Sequence, residues 1–297
     1  MILPNFLVVG AARSATTSLH HALRAHPQVY VPERKEPNFF AVAGLPENAD
    51  PDGVATSVTR LEDYARLFEG VTDEVAIGEV SPAYLVNPRA CELIHKHIPE
   101  AKLIAVLRNP VERAYSDYLM RVREGLEPHR DFGQALAEAE ERYRSGHPGG
   151  FYVRTGFYGR QLKPYFKTFG ADRIQIHLFE ELVGNPYEAL ASIFRFLGVD
   201  PDFRPGPLLR TNVSGVPRDA AATALFWLRM RLGRVASAVL PVETKRRIKA
   251  LMEKRLDRPS LLPEHRRQLV DVYRDDIREL EKLVGRSLEH WLAESTP

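Results

Sequence analysis

Apolar residues along the chain fall into short runs, separated by longer stretches in which they recur every three or four positions. The runs Asn5–Val9, Gln28–Val31, Val75–Glu79, Lys102–Leu107 and Ile174–Phe179 are short and β-branched. Several are apolar at consecutive positions, the pattern of strands covered on both faces. Thr16–Arg24 sets Leu19, Ala22 and Leu23 on one helical face. Asn109-Pro110-Val111-Glu112 joins an N-cap residue, a proline at the first helical position and a capping-box acid. Gly156–Phe169 and Pro186–Leu197 supply two further helices. Strands alternating with helices predict an α/β sheet of parallel strands.

Beyond the Pro/Gly-rich stretch Asp200–Pro207 the pattern becomes helical and basic. Leu225, Leu228, Leu232, Val235 and Val239 form one stripe, and Leu269, Tyr273, Ile277, Leu280 and Val284 another; both read as packing faces. Ala43–Val58 reads as a loop with a Pro-Asp-Gly turn at 51–53. No internal repeat is visible. The expected organisation is a single domain over 1–297, with a core over about 1–200 and a helical, basic extension over about 207–297.

Composition narrows this only slightly. With 297 residues, 44% hydrophobic and 27% charged, and a net charge of +2, the chain is neither disordered nor a polyelectrolyte. Basic residues outnumber acidic ones from Arg204 to Arg258, densest at Lys245-Arg246-Arg247, which reads as a solvated face rather than a nucleic-acid surface. Cys91 is the single cysteine, so no intrachain disulfide forms, in keeping with a reducing compartment. The run Phe6–Val9 is too short for a secretory core, and Leu225–Leu240 is broken by Arg229, Arg231 and Arg234. A soluble, cytoplasmic protein without a membrane span is expected.

The candidate chemistry begins after the first strand. Gly10-Ala11-Ala12-Arg13-Ser14-Ala15-Thr16-Thr17-Ser18 is a small-residue loop running into a helix N-terminus. Such a turn aims backbone N–H groups and the positive helix end at one spot, where an anion can sit. A tight, well-capped β–α turn explains the same segment equally well. The loop departs from Gly-x-x-x-x-Gly-Lys-[Ser/Thr]: no lysine precedes the threonines, and the cation lies earlier, at Arg13. A nucleotide triphosphatase also needs an acid at a neighbouring strand end to hold magnesium. The strand Lys102–Leu107 runs instead into Arg108-Asn109-Pro110. A cation there suits phosphate and counts against a kinase or nucleotide hydrolase.

The order and spacing of several segments resemble the sulfotransferases that use 3′-phosphoadenylyl sulfate (PAPS), in particular the heparan sulfate sulfotransferase branch and its bacterial relatives. The segments are Val9–Leu19, His26-Pro27, Lys35-Glu36-Pro37-Asn38-Phe39-Phe40, Gly78-Glu79-Val80-Ser81-Pro82-Ala83-Tyr84-Leu85, Leu103–Tyr118, Thr155–Phe169 and Ile174–Leu197. The resemblance runs from Phe6 to about Arg218. It implies a P-loop-like three-layer α/β/α fold with a central parallel sheet. It also implies PAPS as co-substrate, 3′-phosphoadenosine 5′-phosphate as product, no metal, and transfer of a sulfuryl group to a hydroxyl or amine of a small-molecule, glycan or lipid acceptor.

Carried over residue by residue, Arg13, Ser14, Ala15, Thr16, Thr17 and Ser18 would cradle the 5′-phosphosulfate, with Arg13 stabilising the leaving phosphate. The family's usual Lys-x-Gly-Thr-Thr is Arg13-Ser14-Ala15-Thr16-Thr17 here, so a planar fork replaces a point charge and Ala15 replaces a residue at ease with positive φ. Arg108 and Ser116 match the 3′-phosphate site. Tyr158 falls where the family contacts adenosine, and Arg218 near a late loop closing over the 3′-phosphate; core packing and surface charge are the competing readings of these two. Glu36 matches the general base, against a solvated loop partner of Lys35 or Arg34. Glu79, at a strand end, would orient Arg13 or the acceptor, or serve as an ion pair. The heparan-type lysine is absent at Val80. Besides a kinase or hydrolase, a non-catalytic nucleotide-binding protein on the same fold is the remaining alternative.

Overall fold

In the computed structural model, residues 1–45, 57–145, 151–206, 215–219, 222–224, 226, 244, 248, 251–252, 255–293 are described. The first of the two C-terminal stripes and the Lys245-Arg246-Arg247 cluster lie outside the described residues, apart from neighbouring positions. The chain divides into two compact units. The first comprises Met1–Pro110, Phe157–Thr211 and Arg274–Trp291; the second comprises Val111–Gly156, Asn212–Tyr273 and Leu292–Pro297.

The first unit is built on five strands, β1 (Phe6–Gly10), β2 (Val29–Tyr30), β3 (Ala76–Val80), β4 (Lys102–Leu107) and β5 (Ile174–Leu178), in the order β2-β3-β1-β4-β5. All pairings are parallel. All five predicted strands are present, because consecutive apolar residues are stable only where both faces are covered. Phe6 and Val8 on β1 and Ile104 and Val106 on β4 pack with Leu19, Ala22 and Leu23 of α1 (Thr16–Arg24) and with Leu190, Ile193, Phe194 and Leu197 of the helix Pro186–Leu197. The alternate residues Leu7, Leu103, Ala105 and Leu107, also fully buried, face the opposite way. Helices Ala83–Val86, Ala90–His97 and Tyr158–Phe169 pack there, contacting β1, β5 and one another. This is the expected three-layer arrangement. The helix expected over Gly156–Phe169 starts only at Tyr158, after a separate turn of helix at Phe151–Arg154.

The strand order determines where a ligand can bind. The chain leaves β1 toward β2 and β3 on one side, and leaves β4 toward β5 on the other. The carboxyl ends of β1 and β4 therefore open a crevice at a topological switch point.

In the second unit, the helix Pro110–Glu124 begins at the predicted proline and continues from the first unit. Glu112, expected to close a capping box, pairs with Arg266 and, at 3.9 Å, with Arg258. Arg113 is fully buried and donates to Asp117 and to the Tyr152 carbonyl, a structural ion pair within one helix turn. Residues Phe132–Arg144 form a further helix, capped by Asp131, whose side chain accepts from the Gln134 N–H. The second C-terminal stripe is borne out in the helix Pro263–Val284, where Leu269, Tyr273, Ile277 and Leu280 are buried.

Candidate active site

The loop after β1 is folded tightly. Ala11 N–H donates to the Val106 carbonyl of β4 at 2.8 Å, and Leu19 N–H to Ala15 O at 3.1 Å. Arg13 and Ala15 both take left-handed backbone, with φ of 70° and 62°. Ala15 stands at the N-cap of α1 without a side-chain cap, so the first turn keeps its N–H groups directed at the loop. Ser14 is fully buried, and its hydroxyl has no hydrogen-bond partner among the described residues. A desolvated hydroxyl left unpaired costs about 1–3 kcal/mol, which an incoming oxyanion would recover.

Across the crevice, Arg108 follows β4. Its guanidinium stacks 4.7 Å above the ring of Phe179, and its Nη1 reaches the Arg13 carbonyl at 3.5 Å. Two arginines thus stand at adjacent strand ends on the switch point. Ser116 is buried on the helix Pro110–Glu124, within the second unit. Tyr158, at the start of the helix Tyr158–Phe169, is 1% exposed and packs near Trp291, with ring centroids 6.3 Å apart. Arg218, in the second unit, is exposed and pairs with Asp257 at 3.0 Å; it directly follows the strand Val216–Pro217, which runs antiparallel to Leu256–Asp257.

On the other side of β1, the segment after β2 carries Glu36. Its carboxylate is ion-paired with Lys35 and its side chain is 41% exposed. Glu36 and Asn38 both adopt positive φ, 59° and 55°, on either side of Pro37. Four anchors hold this segment. His20 of α1 donates to the Pro32 carbonyl at 3.0 Å, Glu36 N–H to Val80 O at 3.1 Å, Val58 N–H to Pro37 O at 2.8 Å, and Asn38 N–H to Ser81 Oγ at 3.1 Å. His20 is buried, which lowers its pKa to about 4, so the ring is neutral and Nε2 carries the proton.

Glu79, the penultimate residue of β3, is 1% exposed. Its Oε1 accepts from Tyr84 at 2.5 Å and from Tyr64 at 3.2 Å, and its Oε2 from Ser81 at 2.7 Å. Burial pushes the carboxyl up to about 7, against the three hydroxyl donors and the charge of Lys35, which pull it down. Glu79 is legible from sequence as a strand-end candidate, but Tyr64 is not: the apolar stripe of its helix, Leu61–Arg66, reads only as a packing face. Ser81 and Tyr84 belong to the segment Gly78–Leu85, whose sequence carries no sign that their hydroxyls turn back onto Glu79.

A parallel sheet with an anion-suited loop after its central strand and a cation ending the adjacent one defines a P-loop-like α/β protein. Among such proteins the match is specific: a family model described as "Sulfotransferase family" covers residues 4–203, and the chain belongs to that family. A crystal structure of a sulfotransferase from Alicyclobacillus acidocaldarius superposes with a TM-score of 0.76 at 30% identity, covering 99% of this chain and all of that one. Human heparan sulfate glucosamine 3-O-sulfotransferase 6 is 30% identical over 200 residues, 66% of this chain and 52% of that protein. Mouse carbohydrate sulfotransferase 15 is 24% identical over 250 residues, 67% of this chain and 44% of that protein. The chain therefore spans about half or less of these curated relatives. Among the described residues, no helix is long and apolar enough to cross a membrane.

Proposed function

We propose that the protein transfers a sulfuryl group from PAPS to an acceptor hydroxyl, with Glu36 as general base. The observation that carries this reading is the pair of arginines at the β1 and β4 ends, Arg108 reaching the Arg13 carbonyl where a nucleotide triphosphatase would keep its metal-binding acid. A doubly phosphorylated nucleotide with a sulfuryl leaving group needs cations there. Arg13, with the helix N-terminus and the hydroxyls of Ser14, Thr16, Thr17 and Ser18, would neutralise the 5′-phosphate as the bridging oxygen gathers charge. Arg108 and Ser116 would take the 3′-phosphate, Arg108 through a fork suited to phosphate oxygens. In this reading Tyr158 supports the adenosine site from the core, and Arg218 adds charge near a closing loop.

Attack in line requires the acceptor proton to leave. Glu36 has a part-exposed carboxylate on a backbone held by four anchors, which suits a base that must be positioned as well as ionised. An open cleft lined by Arg34, Ser57, Val58, Thr59 and Asp63 lies against the same segment, since Val58 hydrogen-bonds Pro37. Its polar lining fits a hydroxylated acceptor of the carbohydrate kind, the substrate type named for both curated relatives.

Arg108→Ala is expected to weaken calorimetric binding of 3′-phosphoadenosine 5′-phosphate by at least about tenfold, the loss of one charge-assisted contact of 1.5–3 kcal/mol. Unchanged affinity, or tighter binding of magnesium-ATP than of the bisphosphate by the wild type, would overturn the reading.

A further inference from the structure

Glu79 is an expensive residue for its position. A carboxylate at 1% exposure, with no ion-pair partner among the described residues, is stabilised only by three hydroxyls and the more distant charge of Lys35. Each of those hydroxyl-bearing side chains also touches the segment that carries Glu36. Ser81 Oγ donates to Glu79 and accepts the Asn38 N–H. Tyr64 stacks on Phe39 with centroids 4.5 Å apart and planes 14° from parallel. Tyr84 meets Phe40 edge to face at 5.5 Å.

The segment needs such a clamp. Left-handed backbone costs about 1–2 kcal/mol for an ordinary residue such as Glu36 and less for an asparagine such as Asn38, and both adopt it. Once ionised, above about pH 7, the carboxyl is acceptor-only and fixes the three hydroxyl rotors. With its proton committed to Glu79, Ser81 turns a lone pair to Asn38. The geometry points to Glu79 as a positioning residue: through Ser81, Tyr64 and Tyr84 it holds the Glu36–Phe40 segment in its left-handed form and so fixes the Glu36 carboxylate for proton abstraction. This rests on the reading of Glu36 as base. It places Glu79 one step removed from the reacting atoms.

The test compares Glu79→Gln and Ser81→Ala in the full chain, the second removing a single hydroxyl in case the first fails to fold. Amide hydrogen exchange of the peptide covering Glu36–Phe40 is followed by mass spectrometry. Turnover is followed as release of 3′-phosphoadenosine 5′-phosphate from PAPS with desulfated heparan fragments as the acceptor probe. Both variants are expected to exchange the segment at least about tenfold faster, to bind the bisphosphate within about twofold of wild type, and to lose about a hundredfold in turnover. In a Glu36→Gln background, Glu79→Gln is expected to cost no further turnover, because it acts through Glu36. Unchanged exchange in both variants, or losses that multiply with that of Glu36→Gln, overturns the positioning role. Normal turnover of Glu36→Gln would sink the base alone, while the exchange measurement still decides the clamp.

Discussion

Ala15 holds φ 62° in the loop after β1, and Arg13 holds 70° two residues earlier. That a small residue departs here from the family's glycine was legible in the sequence; that two positions would be left-handed was not, because the closing of the loop onto Val106 decides it. Replacing Ala15 by glycine removes about 1–2 kcal/mol of left-handed strain and adds about 0.5–1 kcal/mol of unfolded-chain entropy. The expected melting midpoint of Ala15→Gly therefore lies at or slightly above that of wild type. A fall of more than about 3 °C, read by calorimetry, would show that the strain assigned to Ala15 is absent. Tyr158 is likewise legible as a residue but not as a location: only its burial beside Trp291 shows that its ring belongs to the core.

At the scale of elements, helix ends decide more than helix middles. The helix Tyr158–Phe169 has no local side-chain cap; its first N–H groups are taken by Asp276 of the C-terminal helix, from Gly159 at 2.8 Å and from Arg160 at 3.0 Å. Gly159 is required for this approach, since a Cβ there would lie 2.6 Å from the Asp276 carbonyl oxygen. Asp276→Ala is expected to lower stability by about 1–2 kcal/mol, the worth of an N-cap, measured as a reduced urea midpoint with an unchanged slope. A midpoint equal to wild type would mean that the helix start is held by something else. Nothing in the local sequence around Tyr158 announces this cap, because its acceptor lies more than a hundred residues away. The Tyr64 and Tyr84 donors to Glu79 lie only 15 and five residues away in sequence, but no local motif pairs them with it; their approach follows from how the segments around β3 fold.

Over the whole molecule, two buried groups shift in opposite senses and mask one another. Glu79 is raised from 4.5 to about 7, so between those values the folded protein holds a proton that the unfolded chain has lost, and stability from this group falls as pH rises. His20 is lowered from 6.5 to about 4, so between those values the unfolded chain holds the extra proton, and stability rises with pH. Between 4.5 and 6.5 the two proton counts match and the pair contributes no net slope. Glu79→Gln should therefore gain stability relative to wild type as pH rises through that window, and His20→Gln should lose it, each by at most about 1.4 kcal/mol per pH unit. Denaturant midpoints at three pH values check this; variant curves that run parallel to wild type would refute it.

The sequence by itself determined the five strands, the placement of α1 and of the helix Pro186–Leu197, and the anion-suited loop with a cation at the next strand end. These depend on periodicity, caps and short motifs, which act over a few residues. The order β2-β3-β1-β4-β5, the meeting of Arg108 with Arg13 and the hydroxyl cluster around Glu79 were decided only by tertiary structure. Each depends on how segments without a shared local motif come to share a sheet edge or a buried face. Local pattern can require that a face be covered, but the identity of its partner is settled only when the whole chain has packed.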